Sequence, residues 1–542
     1  MQEWEAVFKE NFFKNRNIKD KNRDDFFSFD FEKDNLSPFD FINMDKSVDR
    51  IKTAIDNKEK ILVYTDYDCD GIPAATILSD FFNKIGYKEF QVYIPHRHLE
   101  GYGLHIEALD RFVCNGYTLV ITADLGITNI EQVEYLKSKN VDIVLSDHHL
   151  PIVLDGKEIL PDTEYLINPM VSYEKYQNKY LCGAGVAWKI VHAFLVKYRN
   201  EYGVVDGWEK WLLDMVAIAL VADMMPLSGE NRKLVTFGLK VLQKSPRPAI
   251  QKICSIAKIN QKNLNEKDIA FTFAPRINAA GRMDHPILAY KMLADIDGKA
   301  LDYVETIENL NTKRKQSVKD INSFLKDMTF NDGDGPILVG NSEWPIGVVG
   351  LVAQKIVDDT GRTALVWGSE GDVARGSVRS GNMNHNAVNL LAACKDALLH
   401  FGGHEQAGGF SLNMSNLSLF QELLSKNHLD NIVLKTNDDT QFFVDSEINT
   451  RDINQKTFNI LREMAPFGIG NPDPRLRLSE KIINIKRFGS DNQHIELSIG
   501  GVPSVLFNVT QETEEHLKTK NSFIGNIEYD NWRKRYQFKI HL

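Results

Sequence analysis

Four short apolar runs, each closed by a polar turn, constrain this chain more than any other feature. Residues 61–65 (ILVYT) end at Asp66, 90–94 at Pro95, 118–122 near Asp124, and 141–146 at Asp147. Helix-like segments such as 106–112 and 130–138 lie between them. Short strands alternating with helices predict a parallel sheet covered on both faces. Ligands of such sheets bind outside the carboxyl ends of the strands, which is where these acids fall.

The first run leads into three carboxylates, Asp66, Asp68 and Asp70, followed by Gly71, Pro73 and a helix start at 74–78. An extended backbone through the acids would put all three on one side. Anions that close repel one another unless cations sit between them, so a divalent-metal site is expected, the alternative being a solvated acidic turn. An EF-hand loop also begins DxDxDG, but Ile77 stands where its twelfth-position Glu belongs. The DxDx[TV] pattern of aspartyl-phosphate phosphatases fails at Asp70.

The fourth run ends in Asp147-His148-His149. Imidazole with carboxylate suits Mn²⁺, Zn²⁺ or Fe²⁺, whereas Mg²⁺ prefers oxygen alone. A further apolar run, 215–222, ends in Asp223, which is either a helix cap or another ligand.

A length of 542 residues suggests about three or four domains. The five cysteines are scattered and form no CxxC, which fits reduced thiols. No apolar stretch is long enough to span a membrane and residues 1–17 hold no signal-peptide h-region, so a cytoplasmic location is expected. The net charge of −10 argues mildly against a nucleic-acid partner, yet clustered acids inflate that count and a local basic groove is compatible with it. There is no GxxxxGK[ST] loop, so no P-loop nucleotide engine is indicated. Gly183-x-Gly185 reads as close packing or backbone approach to substrate.

Elsewhere the chain is mostly architecture. Residues 1–46 read as a short helical arm packing on the main body, and 47–57 as an amphipathic helix. Residues 299–332 contain neither Gly nor Pro and carry apolar residues at helical spacing, predicting a long connecting helix. Lys313, Arg314, Lys315 and Lys319 in its middle read as a solvated face, with a phosphate-contacting spine as the alternative. Residues 332–336 read as a linker, 333–432 as a second, smaller α/β domain, and 433–542 as a small β-barrel. Gly402-Gly403-His404 is either a tight turn or a place where backbone amides approach phosphates. Trp532 beside Arg533-Lys534-Arg535 is either a stacking platform or barrel core with a solvated edge.

The motifs, taken in order, resemble the DHH phosphoesterase superfamily. They are Asp66-x-Asp68-x-Asp70-Gly71, Pro95-x-Arg97 with Gly101-Tyr102-Gly103, Asp124-x-Gly126 and Asp147-His148-His149. Ala222-Asp223-x-x-Pro226-Leu227, the run Pro275-Arg276-x-Asn278-Ala279-Ala280-Gly281-Arg282, Gly376-Ser377-x-Arg379-Ser380 and Phe401-Gly402-Gly403-His404 look like its RecJ branch, the single-strand-specific 5′→3′ exonucleases of DNA recombination and repair. Thr65 and Leu125 depart from the usual pattern.

The resemblance implies an α/β fold: a parallel-sheet DHH catalytic domain (47–298), the connecting helix, a DHH-associated domain and an OB-like C-terminal barrel. It implies two divalent cations, Mn²⁺ or Mg²⁺, about 4 Å apart on Asp68, Asp70, Asp124, His148 and Asp223, with Asp66 at the edge. Asp66, Asp147 and His149 would serve the chemistry, His149 touching the scissile phosphate. Arg97, Arg276, Ser377, Arg379 and His404 would bind the strand and its 5′ phosphate, each Arg having a structural ion pair as its alternative. The expected partners are single-stranded DNA, a helicase and a single-strand-binding protein, the enzyme itself being a monomer. The rival readings are an oligoribonuclease or cyclic-dinucleotide phosphodiesterase of the same superfamily, and a non-catalytic replication scaffold.

Overall fold

The computed structural model describes the chain apart from residues 1, 28–29, 32–34, 327, 329–334, 382–384, 428–442, 490–491, 508, 510, 531 and 542. Contacts divide it into two compact units, one of residues 37–223 and 238–438, the other of 1–36, 224–237 and 439–542.

In the larger unit, β1 (Lys60–Thr65), β2 (Phe90–Tyr93), β3 (Tyr117–Ala123) and β4 (Asp142–Ser146) follow the four apolar runs. A hairpin of β5 (Ile152–Leu154) and β6 (Lys157–Ile159) stands apart, and β7 (Leu166–Ile167) completes the main sheet. The order is β2-β1-β3-β4-β7 and every pairing is parallel. Residues 61–64 are all buried, as a strand covered on both faces requires. The chain runs outward from β1 to β2 and then returns to the other side of β1 for β3. That reversal leaves a crevice beyond the carboxyl ends of β1 and β3. Asp66 and Asp124 follow those two ends directly.

The carboxylates of the first motif are not aligned by an extended strand, as alternation would have had it. The chain leaves β1 at Asp66, turns through residues 67–70, and enters the helix Gly71–Lys84. Asp68 Oδ1 accepts from the N–H groups of Asp70 (2.8 Å) and Gly71 (3.2 Å), closing the turn. A Cβ on Gly71 would lie 2.4 Å from the Asp66 carbonyl oxygen, so only glycine permits so sharp an entry.

The helix Ala300–Lys326 is 27 residues long, about 40 Å at 1.5 Å per residue. Its last turns, through Ile321 and Leu325, join the core of a second sheet with Val348, Val352 and Val366. That sheet contains β8 (Ile337–Gly340), β9 (Ala364–Glu370), β10 (Val373–Arg379), β11 (His400–Gly403) and β12 (Ala407–Asn413), in the order β11-β12-β10-β9-β8. Only β8 and β9 pair in parallel. The linker expected at 332–336 lies largely outside the described residues.

The smaller unit is built on a seven-stranded sheet from β13 (Ser446–Ile448), β14 (Leu476–Leu478), β15 (Ile482–Phe488), β16 (His494–Ile499), β17 (Val502–Leu506), β18 (Phe523–Asp530) and β19 (Arg535–Ile540). Ile495, Leu497 and Ile499 fill its core with Phe538 and Ile540, as their alternation predicts. The N-terminal helix Gln2–Asn15 belongs to this unit and not to the sheet of carboxylates. Phe8, Phe12 and Phe13 enter the same core, and Arg16 pairs with Asp445 at 2.8 Å. Trp532 is 83% exposed, so it is not barrel core.

Candidate metal centre

Asp66, Asp68 and Asp70 on the first turn, Asp124 after β3, His148 after β4 and Asp223 after the helix Leu213–Ala222 converge at the crevice. Asp223 is the residue that ends its helix, so both sequence alternatives, cap and cluster member, hold at once. His148 Nε2 is 3.1 Å from Asp124 Oδ1, 3.5 Å from Asp70 Oδ2 and 3.8 Å from Asp223 Oδ2. A second group, one oxygen each from Asp66, Asp68 and Asp124, lies within 4.8 Å of one another. Asp124 therefore belongs to both groups.

The backbone supports this convergence. Gly183 and Ala184, first residues of the helix Gly183–Tyr198, donate N–H groups to Asp70 Oδ2 (2.6 Å) and Oδ1 (2.7 Å). The helix N-terminus thus fixes the carboxylate and stabilises its charge. A Cβ on Gly183 would fall 2.5 Å from Asp124 Cβ, which accounts for the glycine. Of the two readings of Gly183-x-Gly185, close packing is what the structure presents. Asp124 itself holds φ +66°, a left-handed backbone uncommon outside glycine and frequent at functional sites.

Like charge and burial dominate the electrostatics. Burial, then Asp68, raises Asp66 well above the carboxylate range and Asp70 to about 6. Burial and Asp70 raise Asp124 strongly and Asp223 to about 8. Burial, then His149, lowers His148 to about 4, so it is neutral at neutral pH, as a metal ligand must be. Its Nε2 is the ring nitrogen that faces the acids. Asp66 Oδ1, Asp124 Oδ1 and Asp223 Oδ2 are buried with no hydrogen-bond donor among the described residues. Orphaned carboxylate oxygens beside a neutral imidazole nitrogen are the donor set that Mn²⁺ takes, and the residues present fit two divalent cations.

Asp147 is fully buried. Its Oδ2 accepts from Ile127 N (2.9 Å), and its Oδ1 from His148 N (2.7 Å) and His149 Nδ1 (2.8 Å). Burial would raise its pKa, but the charge and hydrogen bond of His149 outweigh it and bring it to about 2. His149 is raised to about 9 against the effect of burial, chiefly by Asp147. Tyr102 Oη lies 3.2 Å from His149 Nδ1, and the His404 ring lies parallel to His149 at 6.1 Å between centroids. His404 sits in a tight turn, its N–H bonded to the Ala407 carbonyl at 2.7 Å.

The arginines separate into two kinds. Arg276 does not join the cluster: its fork is held by Glu308 (2.6 and 3.1 Å) and by the Thr272 carbonyl (2.9 Å). It is the structural ion pair that was its alternative. Arg97 lies over the Tyr67 ring at 4.9 Å, and Arg379 donates to Ser377 Oγ at 2.8 Å. Arg282, six residues after Arg276, donates to the Gly347 carbonyl at 3.2 Å. Burial, then Arg97, Arg379 and Arg314, lowers it to about 9. Arg97, Arg282, Arg314 and Arg379 have no carboxylate partner among the described residues, so Arg282 and Arg314 join a cationic group that sequence reasoning had not assembled.

Residues 60–220, which hold the parallel sheet and the acids beyond its switch point, match the model of the DHH family, N-terminal domain. Residues 444–542 match the RecJ OB domain. The chain thus carries a DHH-family N-terminal domain and a RecJ OB domain, and its relatives are RecJ exonucleases. It is 31% identical to the single-stranded-DNA-specific exonuclease RecJ of Bacillus subtilis, over 93% of this chain and 63% of that protein. To the Haemophilus influenzae protein of the same description it is 26% identical, over 90% and 88%. The fold is similar to that of Thermus thermophilus RecJ in complex with Mn²⁺ (TM-score 0.80, 22% identity, 98% of this chain and 74% of that one). It is also similar to a structure of exonuclease RecJ bound to manganese (TM-score 0.63, 26% identity, 73% and 96%). The chain thus spans under two thirds of the B. subtilis relative's length.

Proposed function

We propose that this chain is a 5′→3′ exonuclease that hydrolyses single-stranded DNA to mononucleotides in recombination and repair, using two divalent cations, Mn²⁺ or Mg²⁺. The observation that carries it is Asp124, shared between a carboxylate–imidazole group and an all-carboxylate group, each with a buried oxygen that no donor among the described residues satisfies. Asp68, Asp70, Asp124, His148 and Asp223 would hold the cations, with Asp66 beside them. Bound there, the cations supply Lewis acidity, lowering the pKa of a water and neutralising charge on the phosphoryl group.

The side chains do the rest. Asp147 holds His149 protonated, so that its Nε2–H is available to a phosphoryl oxygen as charge develops there. Tyr102 restrains the same ring, and His404 meets it from the second sheet. Arg97, Arg282 and Arg379, with Ser377, take the terminal 5′ phosphate, for which unpaired guanidinium groups are suited. Arg276 supports this pocket by tying the helix Ala274–Met283 to the long helix.

Domain limits of 1–46, 47–298, 299–332, 333–432 and 433–542 remain part of this proposal, as do a monomeric state, a cytoplasmic location and work alongside a helicase and a single-strand-binding protein. Among the described residues no helix is long and apolar enough to cross a membrane. End-labelled single-stranded DNA, duplex DNA and RNA, incubated with Mn²⁺, Mg²⁺ or chelator, test the reading. Mononucleotide release from the 5′ end of DNA only when metal is present is expected. Equal release in excess EDTA would overturn it.

A further inference from the structure

The buried stripe of the long helix changes character in its middle. Val304 and Ile307 before it, and Ile321 and Leu325 after it, are buried and apolar. Between them, Asn311 and Arg314 fall on the same stripe, four and seven residues after Ile307. Asn311 is 0% exposed, yet neither its Oδ1 nor its Nδ2 has a hydrogen-bond partner among the described residues. Arg314 is half-buried, with an orphaned Nε and no carboxylate pair among the described residues. Glu308, the acid nearest in the helix, is already held by Arg276.

A buried polar residue in a helix seam can fix register, but it then pairs with another polar group. Here both ends of the amide are unmet, which costs free energy that Leu at this position would not. The surroundings are cationic. After burial, Arg276 is what depresses Arg314, and Arg314 in turn depresses Arg282. Arg282 also answers to Arg97, Arg379 and, with opposite sign, Asp68 of the metal centre. Arg276, on the same helix as Arg282, is bonded to Glu308, three residues before Asn311, so the long helix carries Asn311 and Arg314 past the helix that holds Arg282.

We propose that Asn311 and Arg314 form a second phosphoryl-oxyanion subsite, behind the pocket for the terminal 5′ phosphate. Its location at the strand end rests on the function proposed above. A monophosphorylated strand has nothing left to place there, so the ligand is a further phosphoryl group on a 5′-triphosphorylated end or a free phosphate-class anion. Arg314 donates Nε–H and Nη–H together, Asn311 Nδ2 donates alongside, and Oδ1 accepts from a protonated phosphoryl oxygen.

Two measurements on the full chain test it, with Asn311→Leu and Arg314→Met as variants. In metal-free protein, pyrophosphate at matched ionic strength should raise the wild-type melting temperature, and either variant should lose most of that rise. Against single strands, the rate on a 5′-triphosphate relative to a 5′-monophosphate should fall about tenfold or more in the variants. A pyrophosphate effect without the change in ratio identifies a free anion as the ligand; both together identify the strand end. Variants matching wild type in both measurements overturn the subsite. Should wild type cleave no strand, the exonuclease reading fails while the pyrophosphate measurement still decides the subsite.

Discussion

Asp147 Oδ1 lies 2.8 Å from His149 Nδ1, and the same carboxylate takes the backbone N–H groups of Ile127 and His148. One buried anion therefore sets both the loop after β4 and the protonation of the ring presented to the crevice.

That pair predicts a pH-dependent stability in metal-free protein. The His149 pKa is raised from 6.5 to about 9, so its contribution is complete below 6.5 and is lost as pH rises through about 9. Asp147 is lowered from 3.8 to about 2, so its share is present above 3.8 and is lost as pH falls through about 2. Urea unfolding of chelated wild type and Asp147→Asn should differ most near about pH 6 and converge toward about pH 9.5. With metal, Asp147→Asn should lower turnover roughly 10- to 1000-fold at neutral pH. A stability gap constant across that range would mean the carboxylate serves only the backbone.

Asp124 should trade stability for activity. Its burial among Asp66, Asp68, Asp70 and Asp223 makes its charge unfavourable without a cation. Asp124→Asn should raise the melting temperature of metal-free protein by a few degrees, abolish the further rise on adding Mn²⁺, and reduce turnover by about 1000-fold or more. An unchanged Mn²⁺ response would remove Asp124 from the ligand set.

Gly183 makes a packing prediction at the same place. The methyl of Gly183→Ala would meet Asp124 at 2.5 Å and disturb the two N–H groups that hold Asp70. A loss of about 1–3 kcal/mol and a weakened Mn²⁺ affinity are expected, read by denaturation and by metal titration. Wild-type behaviour in both would show that the helix N-terminus shifts freely.

The parallel sheet was legible because residues 61–64 form an unbroken apolar run, which two-faced burial demands. The acids were legible because each follows such a run. The turn through 67–70 was not, since its hydrogen bonds come from Asp68's own side chain and leave no mark on periodicity. Arg276 and Arg282 lie in one motif, and no local pattern separates them. What does is Glu308, 32 residues away. Arg314 sits in a Lys/Arg run whose solvated reading holds for Lys313 and Lys315 but not for its own half-buried side chain. The Phe8–Phe12 spacing announces a helix, but its partner, a core more than 400 residues later, is invisible to any window.

The shared core of the smaller unit changes what a truncation will do. Removing residues from 443 onward takes away the sheet against which Phe8, Phe12 and Phe13 pack. Such a protein should expose these rings and aggregate, whereas removing residues 1–36 as well should restore some solubility. Sedimentation of the two truncations decides it. A monodisperse single truncation would show that the arm needs no partner.

The last prediction separates the arginines by role. Among the described residues Arg379 has no acid partner and donates to Ser377 Oγ and to its own neighbour's carbonyl, each at 2.8 Å, so an anion from outside can take its fork. Arg276 has its fork filled by Glu308. Arg379→Ala should therefore lower the rate on 5′-phosphorylated strands by about 10- to 100-fold with a much smaller change on 5′-hydroxyl strands. Its melting temperature should stay within a few degrees of wild type. Arg276→Ala leaves Glu308 partly buried without its cation, so it should destabilise by about 3 kcal/mol and slow both substrates by a similar factor. Rates on the two ends, measured beside thermal unfolding for each variant, distinguish them. If Arg276→Ala instead narrows the gap between the two ends while keeping its stability, the Glu308 pair opens for substrate and the two roles are reversed.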